Sequence, residues 1–121
     1  MDGVSFLPLL RGEAMERGPI FWHYPHYGNQ GGAPGCSVRH GDWKLIEFFA
    51  DGRLELYHLR DDAGETHNRA AEEPEITRHL HAELVAWRES IDAKIPARNA
   101  AWADAPAGGA LRARGPGGPA R

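Results

Sequence analysis

The sequence predicts an α+β domain in which a small antiparallel sheet of three to four strands packs against one long C-terminal helix. Between residues 19 and 59, short apolar and aromatic segments alternate with Gly-containing turns, as is typical of strands that follow one another in a meander. After residue 73, apolar side chains recur at helical spacing instead. Because an amphipathic helix needs an apolar surface to cover, we expect it to lie across the sheet.

Four segments have the composition of β-strands. The first, residues 19–27, is rich in aromatic side chains and has a proline at its start and another near its end. The other three are residues 37–40, 43–49 and 53–59. Residues 28–35, between the first and the second strand, contain too many glycines for regular structure and are expected to form a loop.

Two tight turns are expected to join the last three strands. Gly41-Asp42 separates one pair of strands, and Asp51-Gly52 is a strong hairpin signal because a type I′ turn requires positive φ at both central positions. The last strand alternates, with Leu54, Leu56 and His58 on one face and Arg53, Glu55 and Tyr57 on the other. That alternation predicts one buried face and one mostly exposed face.

A helix is expected to start at Pro74, because a first helical residue tolerates a missing N–H. The apolar side chains that follow at steps of four, four, three and four residues are Ile76, Leu80, Leu84, Trp87 and Ile91. This spacing predicts a stripe that faces the core. Pro96 is expected to end the helical region.

The chain divides into three parts along its length. Residues 1–18 form an irregular lead-in segment with one apolar cluster, and residues 19–102 form the α+β unit. Residues 103–121 consist mostly of Ala, Gly, Pro and Arg, which cannot bury a core, so we expect a disordered tail.

Charge and cysteine content exclude several classes of function. A net charge of −3 argues against a nucleic acid partner, which needs a basic face. No apolar stretch is long enough to span a bilayer, so no membrane partner is expected. Cys36 is the only cysteine, which excludes an internal disulfide and a cysteine-based zinc site and leaves the cellular compartment open.

Four segments, in order along the chain, resemble the C-terminal region of sulfatases, and in particular of bacterial arylsulfatase-like members. They are DGVSFLPLLRG (2–12), FWHYPHYGNQG (21–31), VRHGDWKLI (38–46) and ELYHLRDDAGETHN (55–68). The first is similar to the passage from the large N-terminal domain of the family to its small C-terminal subdomain. The sequence departs from the pattern at Ala63, where the family usually has Pro, and at Arg69, where it usually has Leu.

The resemblance implies the C-terminal subdomain of a sulfuric ester hydrolase that acts on a sulfated organic or carbohydrate substrate. The family's nucleophile is a formylglycine made in a C/S-x-P-x-R motif, and Cys36, followed by Ser-Val-Arg, does not match it. We therefore assign no catalytic residue and no metal ligand to this chain. Formylglycine and calcium are expected in an N-terminal catalytic domain, which would be the partner, and the chain alone is expected to be inactive.

The residues assigned to substrate binding are His23, His26, Tyr27 and Asn29. Histidine can donate hydrogen bonds to sugar hydroxyls or to a sulfate oxygen near neutral pH. The resemblance implies that this segment reaches the substrate pocket, beside the formylglycine of the other domain. The alternative is that these side chains only pack at one end of the sheet.

Other polar features have structural explanations that we prefer. Asp61, Asp62 and Glu65 lack the pattern of an EF-hand calcium loop and are expected to form turns. The glycines of residues 28–35 could form an anion-binding nest, but a flexible loop is preferred. Cys36 has no basic neighbour in the sequence. The remaining histidines, interpreted as surface or satisfied residues, are His58, His67, His79 and His81.

Two alternative functions remain open. The chain could be a non-catalytic binding or interaction module derived from a sulfatase, or a decayed product that folds poorly alone. If a catalytic domain normally covers it, one face should be apolar and exposed, with candidates Val4, Phe6, Leu7, Leu9, Phe21 and Trp22.

Overall fold

A computed structural model describes residues 3–15, 17–29 and 31–97 of the chain. In chain order, the elements are helix α1 (Leu7–Leu10), strands β1 (Ile20–Tyr24), β2 (Gly35–His40), β3 (Trp43–Phe48) and β4 (Leu54–His58), and helix α2 (Pro74–Ser90). The four strands form one antiparallel sheet in the order β1-β2-β3-β4, which is also their order in the sequence. The predicted α+β architecture is confirmed.

The register of the sheet places one apolar row on the face that α2 covers. Phe21 lies opposite Val38, Val38 opposite Leu45, and Leu45 opposite Leu56, so one row crosses all four strands. The buried core cluster consists of Cys36, Val38, Leu45, Leu56, Leu80 and Leu84. Burial of each valine or leucine of this cluster stabilises the fold by about 1.5–3 kcal/mol relative to leaving it exposed.

Helix α2 starts at Pro74 as predicted, and Thr77 strengthens its first turn. The Thr77 hydroxyl is within hydrogen-bond distance of the carbonyls of Glu73, at 2.8 Å, and Ala70, at 3.2 Å. The helix ends at Ser90, so the prediction that it extends towards Pro96 was too long. Ile91 lies beyond the last turn and is 51% exposed, and its predicted place in the buried stripe is therefore wrong.

The two predicted turns are present, but one has a different geometry. Gly41, with φ of 61°, occupies the first central position of the β2–β3 turn, where a residue without Cβ is favoured. In the β3–β4 turn only Gly52 has positive φ, 74°, and Asp51 does not. The Phe48 N–H donates to the Arg53 carbonyl, so four residues form this loop, and the predicted type I′ turn is wrong.

Strand β2 begins at Gly35, inside the segment predicted to be a loop. Gly35 pairs with Tyr24 on one side and Phe48 on the other. A Cβ at this position would lie 2.6 Å from the Glu47 carbonyl oxygen, so only glycine allows the strands to approach this closely. Gly35, which contributed to the prediction of a loop, is therefore the residue that allows β2 to begin there.

The face of β4 predicted to be mostly exposed contains a buried side chain. Tyr57 is only 8% exposed, and its hydroxyl donates a hydrogen bond to Glu55 at 2.9 Å. It lies opposite Lys44, whose Nζ pairs at 2.6 Å with Glu65 of the following loop. Burial, together with the Glu55 carboxylate, raises the pKa of Tyr57 to about 12.

The lead-in contains a short helix, α1, where an irregular segment was predicted. Pro8 stands near its start, and the N–H of Arg11 donates to the Pro8 carbonyl at 3.0 Å. The predicted tail, residues 103–121, lies outside the described residues, as do residues 98–102 of the predicted α+β unit. Within the described ranges, the helices are too short or too polar to cross a membrane.

Candidate functional site

Strand β1 and the loop that follows it carry the four residues assigned to substrate binding. His23 lies within β1, opposite Cys36, on the face of the sheet that α2 covers. Its Nε2 donates to the carbonyl of Lys94 at 2.9 Å, and its ring lies 5.6 Å from that of Phe49. His23 thus ties the edge strand to the segment that follows α2.

The other three residues lie in the exposed loop. The rings of His26 and Tyr24 meet edge to face, with centroids 5.7 Å apart. Tyr27 is 76% exposed, and Asn29 is exposed as well. The structure therefore separates His23, which is held by packing, from His26, Tyr27 and Asn29, which are accessible to a ligand.

The glycine-rich loop uses some of its own backbone donors. The Gly28 N–H donates to the Gly32 carbonyl at 2.8 Å, and the Gly31 N–H donates to the Gly28 carbonyl at 3.2 Å. Positive φ at Gly31, 90°, allows the chain to close on itself there. These two N–H groups are therefore not free to bind an anion, which supports the loop interpretation over the nest.

Large apolar side chains are exposed near this loop and along the lead-in. Those expected to be exposed and found so are Val4, Phe6, Leu7, Leu9 and Trp22. Phe21 is the exception, because its ring stacks on Trp87 of α2 at 4.8 Å and is half-buried. Trp22 and Tyr24 lie on the face of the sheet opposite α2, so alternation along β1 separates them from Phe21.

A partly buried polar cluster surrounds Cys36. Arg88 Nη1 lies 3.2 Å from the sulfur and 2.6 Å from a carboxylate oxygen of Glu47. His81 Nε2 lies 3.3 Å from the same carboxylate oxygen. The prediction that Cys36 lacks a basic partner is therefore wrong. Its partner, Arg88, lies 52 residues further along the chain and is brought to the sulfur by the fold. Burial still dominates and raises the pKa of the thiol to about 11.

The acidic loop after β4 forms a turn, as expected. The carboxylate of Asp62 accepts the N–H groups of Thr66, at 2.9 Å, and His67, at 2.8 Å. These bonds hold the pKa of Asp62 below its usual range. Asn68 accepts from the N–H of Leu56 at 3.0 Å and so joins the loop to β4.

One group of side chains that the sequence pattern did not reveal comes together at the end of β2. His40 Nδ1 lies 3.0 Å from Glu83 Oε2, and His79 Nε2 lies 3.8 Å from Glu83 Oε1. One ligand-type atom from each of the three residues lies within 4.8 Å of the others. The spacing of His79 and Glu83, four residues apart on a helix, was the available signal.

The fold and the site define a small α+β subdomain with an exposed loop and exposed apolar side chains. Residues 1–90 match the family model described as N-sulphoglucosamine sulphohydrolase, C-terminal. The chain belongs to this family and is a sulfatase C-terminal region.

Three relatives show how much of a sulfatase this region represents. A sulfatase from Formosa agariphila is 34% identical over 100 residues, which cover 72% of this chain and 18% of that protein. A 2-O GAG sulfatase of known structure has a TM-score of 0.62 at 24% identity, and the match covers 75% of this chain and 20% of that protein. A protein solved with its substrate, D-glucosamine-2-N,6-O-disulfate, has a TM-score of 0.60 at 26% identity, with coverage of 75% and 20%. The chain thus spans about a fifth of the length of these relatives.

Proposed function

We propose that the chain serves as the C-terminal subdomain of a sulfuric ester hydrolase that acts on a sulfated carbohydrate or other sulfated organic substrate. The observation that carries the proposal is the family match over residues 1–90. In the relatives, the region that matches this chain makes up about a fifth of a much longer protein. The hydrolysis itself requires a catalytic domain, and the chain contributes to the substrate pocket and to its stability.

The loop after β1 forms the outer wall of that pocket in this proposal. His26, Tyr27 and Asn29 are exposed and present an imidazole, a phenol and an amide, all of which can bond to sugar hydroxyls or sulfate oxygens. His23 contributes by position, because its bond to the Lys94 carbonyl fixes the strand that leads into the loop.

The exposed apolar side chains are the surface that meets the catalytic domain. Phe6 and Leu10 of the lead-in are 64% and 72% exposed, and Trp22 is about half exposed. Exposed apolar side chains that cluster on a surface commonly mark an interface. Covering it would anchor the subdomain and hold the substrate loop against the catalytic site.

Calcium and formylglycine belong to the catalytic domain in this proposal. The C/S-x-P-x-R motif is absent from the chain, so no formylglycine can form here. The Asp62 carboxylate is engaged by the backbone of its own loop, and the donor set of the other cluster, two imidazoles and one carboxylate, is not the oxygen-rich set that calcium prefers. These residues do not fit a calcium site, and no catalytic step is assigned to them.

A chimeric enzyme tests the proposal. The region of the Formosa agariphila sulfatase that matches this chain would be replaced by the chain, and hydrolysis of a sulfated sugar would be measured. We expect turnover by the chimera and none by the chain alone. Tyr27→Ala and Asn29→Ala should lower kcat/KM of the chimera by roughly tenfold each, which corresponds to about 1.4 kcal/mol of lost transition-state binding.

The matched control is His67→Ala, which alters an exposed histidine in the loop after β4 and should leave kcat/KM unchanged. A folded, stable chimera whose activity is insensitive to Tyr27 and Asn29 would remove the substrate role of the loop. A chain that binds a partner protein but never supports turnover in a folded chimera would favour a non-catalytic interaction module.

A further inference from the structure

We propose that His40, His79 and Glu83 form a zinc site that clamps helix α2 to the end of strand β2. Such a site would be independent of any sulfatase function of the chain. The kinds of donor atoms, their separations and the elements that hold them all support it.

The donor set suits zinc. Two imidazole nitrogens and one carboxylate oxygen are offered by His40, His79 and Glu83. Zinc is commonly bound by histidine and carboxylate ligands, with three protein ligands and a water in sites that keep one position open. Calcium and magnesium prefer oxygen donors throughout, so this set discriminates against them.

The separations are close to those of a bound site. Zn–N and Zn–O bonds of about 2.0–2.2 Å at tetrahedral angles place neighbouring donor atoms roughly 3.3 Å apart. His40 Nδ1 already lies 3.0 Å from Glu83 Oε2, and His79 Nε2 lies 3.8 Å from the other carboxylate oxygen, Oε1. The third pair lies within 4.8 Å and closes by rotation of the His79 side chain, which is 70% exposed and therefore free to turn.

The elements that carry the ligands make the site rigid enough to bind. His79 and Glu83 lie one helical turn apart on α2, so both project from the same side of the helix. Leu80 and Leu84, the next residues in sequence, are buried against the sheet and fix the rotation of α2. His40 ends β2, and the two-residue turn after it holds its position.

Access for an exchangeable fourth ligand is also present. His40 and His79 line an open depression of about 510 Å³, whose other walls include Trp43, Ile76 and Leu80. A water or a small anion can therefore reach the metal from this side. Since the ligands come from two elements, binding would stabilise the contact between α2 and the sheet.

Zinc titration of the tag-free 121-residue chain tests the site. Isothermal titration with a zinc salt should show one equivalent bound, and zinc should raise the melting temperature. His79→Ala and Glu83→Gln should each weaken binding by at least 10–100-fold, roughly the loss seen when only an outer-shell partner is removed. Cobalt substituted for zinc should give the visible absorption of a four-coordinate ion, which His79→Ala abolishes.

The matched control is His67→Ala. His67 also faces a carboxylate, Glu72 at 2.9 Å, but within the described part of the chain this pair does not belong to a three-ligand group. Zinc affinity should be unchanged by this substitution. Because His79 is exposed, its alanine variant should keep the circular dichroism of the parent, so lost binding reports on the ligand.

Failure of the parent chain to bind zinc would overturn the proposal. Equal loss of affinity in His67→Ala and His79→Ala would do the same, because it would show that binding is spread over surface histidines. Magnesium and calcium in excess should not compete, and competition by either would contradict the assigned donor chemistry.

Discussion

The environment of Cys36 shows how burial and charge compete at a single side chain. Arg88 lies 3.2 Å from the sulfur and favours the thiolate, whereas removal from water favours the neutral thiol. Glu47 adds a negative charge nearby and also favours the thiol. The net result is a raised pKa, so we expect the buried Cys36 to react slowly and to serve as a structural cysteine.

Two measurements follow from the raised pKa of Cys36. At pH 8 a thiol reagent should modify the folded chain much more slowly than the chain in denaturant. The thiol pKa is about 11 in the fold against 9.0 ordinarily, so between these values the unfolded state loses the proton first. The Cys36 contribution to stability is therefore complete below pH 9 and falls as pH rises from about 9 to about 11.

The control for this pH dependence is Cys36→Ala, measured against the parent chain in denaturant titrations. The parent should lose more stability than the variant over the same pH interval. Tyr57 also titrates with a raised pKa, about 12, and its contribution remains in both proteins, so the difference isolates the thiol. Rapid modification of the folded parent at pH 8 would contradict the assignment.

Arg88 and Glu47 form the ion pair that we expect to matter for stability. Their Nη1 and Oε2 atoms lie 2.6 Å apart, and the two side chains are 11% and 16% exposed. Arg88→Met leaves the Glu47 carboxylate without its main partner, which should lower the free energy of unfolding by about 2–4 kcal/mol.

A second ion pair, formed by two residues of α2 at the same N–O distance, provides the control for Arg88→Met. Arg78 and Glu75 also lie 2.6 Å apart, but both side chains are mostly exposed to water, so Arg78→Met should change stability little. Chemical denaturation of both variants would distinguish the pairs. Equal effects would mean that burial does not decide the strength of these contacts.

Helix α2 is held by a few buried side chains, and its apolar stripe is shorter than the sequence pattern indicates. Leu84 is 0% exposed, so Leu84→Ala should lower the free energy of unfolding by about 2–5 kcal/mol through lost burial and a cavity. Ile91→Ala is the matched control, because Ile91 continues the same apolar spacing but lies beyond the helix end. Denaturation midpoints that shift equally would show that Ile91 packs after all.

Strand β2 depends on one glycine. A Cβ at Gly35 would meet the Glu47 carbonyl oxygen at 2.6 Å, which is backbone and cannot rotate away, so Gly35→Ala should destabilise the sheet by about 1–3 kcal/mol or more. Gly32→Ala is the control, since its Cβ would meet other atoms only at 3.8 Å. Thermal melts of the two variants should separate them clearly. A neutral Gly35→Ala would mean that β2 and β3 can move apart at no cost.

Several large apolar side chains are exposed in the described part of the chain, as expected of a surface that a partner domain covers. Leu10 and Phe6 of the lead-in and Trp22 of β1 are half or more exposed. The isolated chain should therefore self-associate in sedimentation experiments and bind a hydrophobic dye. A Phe6→Ser, Leu10→Ser double variant should reduce both signals, since neither residue belongs to the buried core.

A domain that is stable without a partner would neither self-associate nor bind the dye. A parent chain that sediments as a single monomer, binds no dye and unfolds cooperatively at high temperature would favour a self-sufficient module. A matched variant, Val38→Ser, should increase dye binding instead, because it disrupts a side chain that is 0% exposed. The Phe6→Ser, Leu10→Ser double variant and the Val38→Ser variant thus distinguish association through the surface from disruption of the core.

Local pattern was enough to predict the architecture and much of its detail. Aromatic and alternating segments predicted the strands, Gly41 and Gly52 predicted the turns, and Pro74 predicted the start of α2. These features depend on interactions within a few residues, so the sequence encodes them directly. Four motifs in order also identified the family, and the family match over residues 1–90 confirms it.

Contacts between residues distant in the chain were decided only by the tertiary structure. Arg88 reaches Cys36 across 52 residues, and Glu83 reaches His40 across 43, because the register of the sheet and the rotation of α2 bring them together. Neither the register of the sheet nor the rotation of α2 can be read from the local spacing of apolar residues. The burial of Tyr57 and the exposure of Ile91 have the same cause, since what covers a side chain depends on where distant segments pack. Local sequence pattern alone determined the four strands and the start of α2, and packing determined which side chains meet.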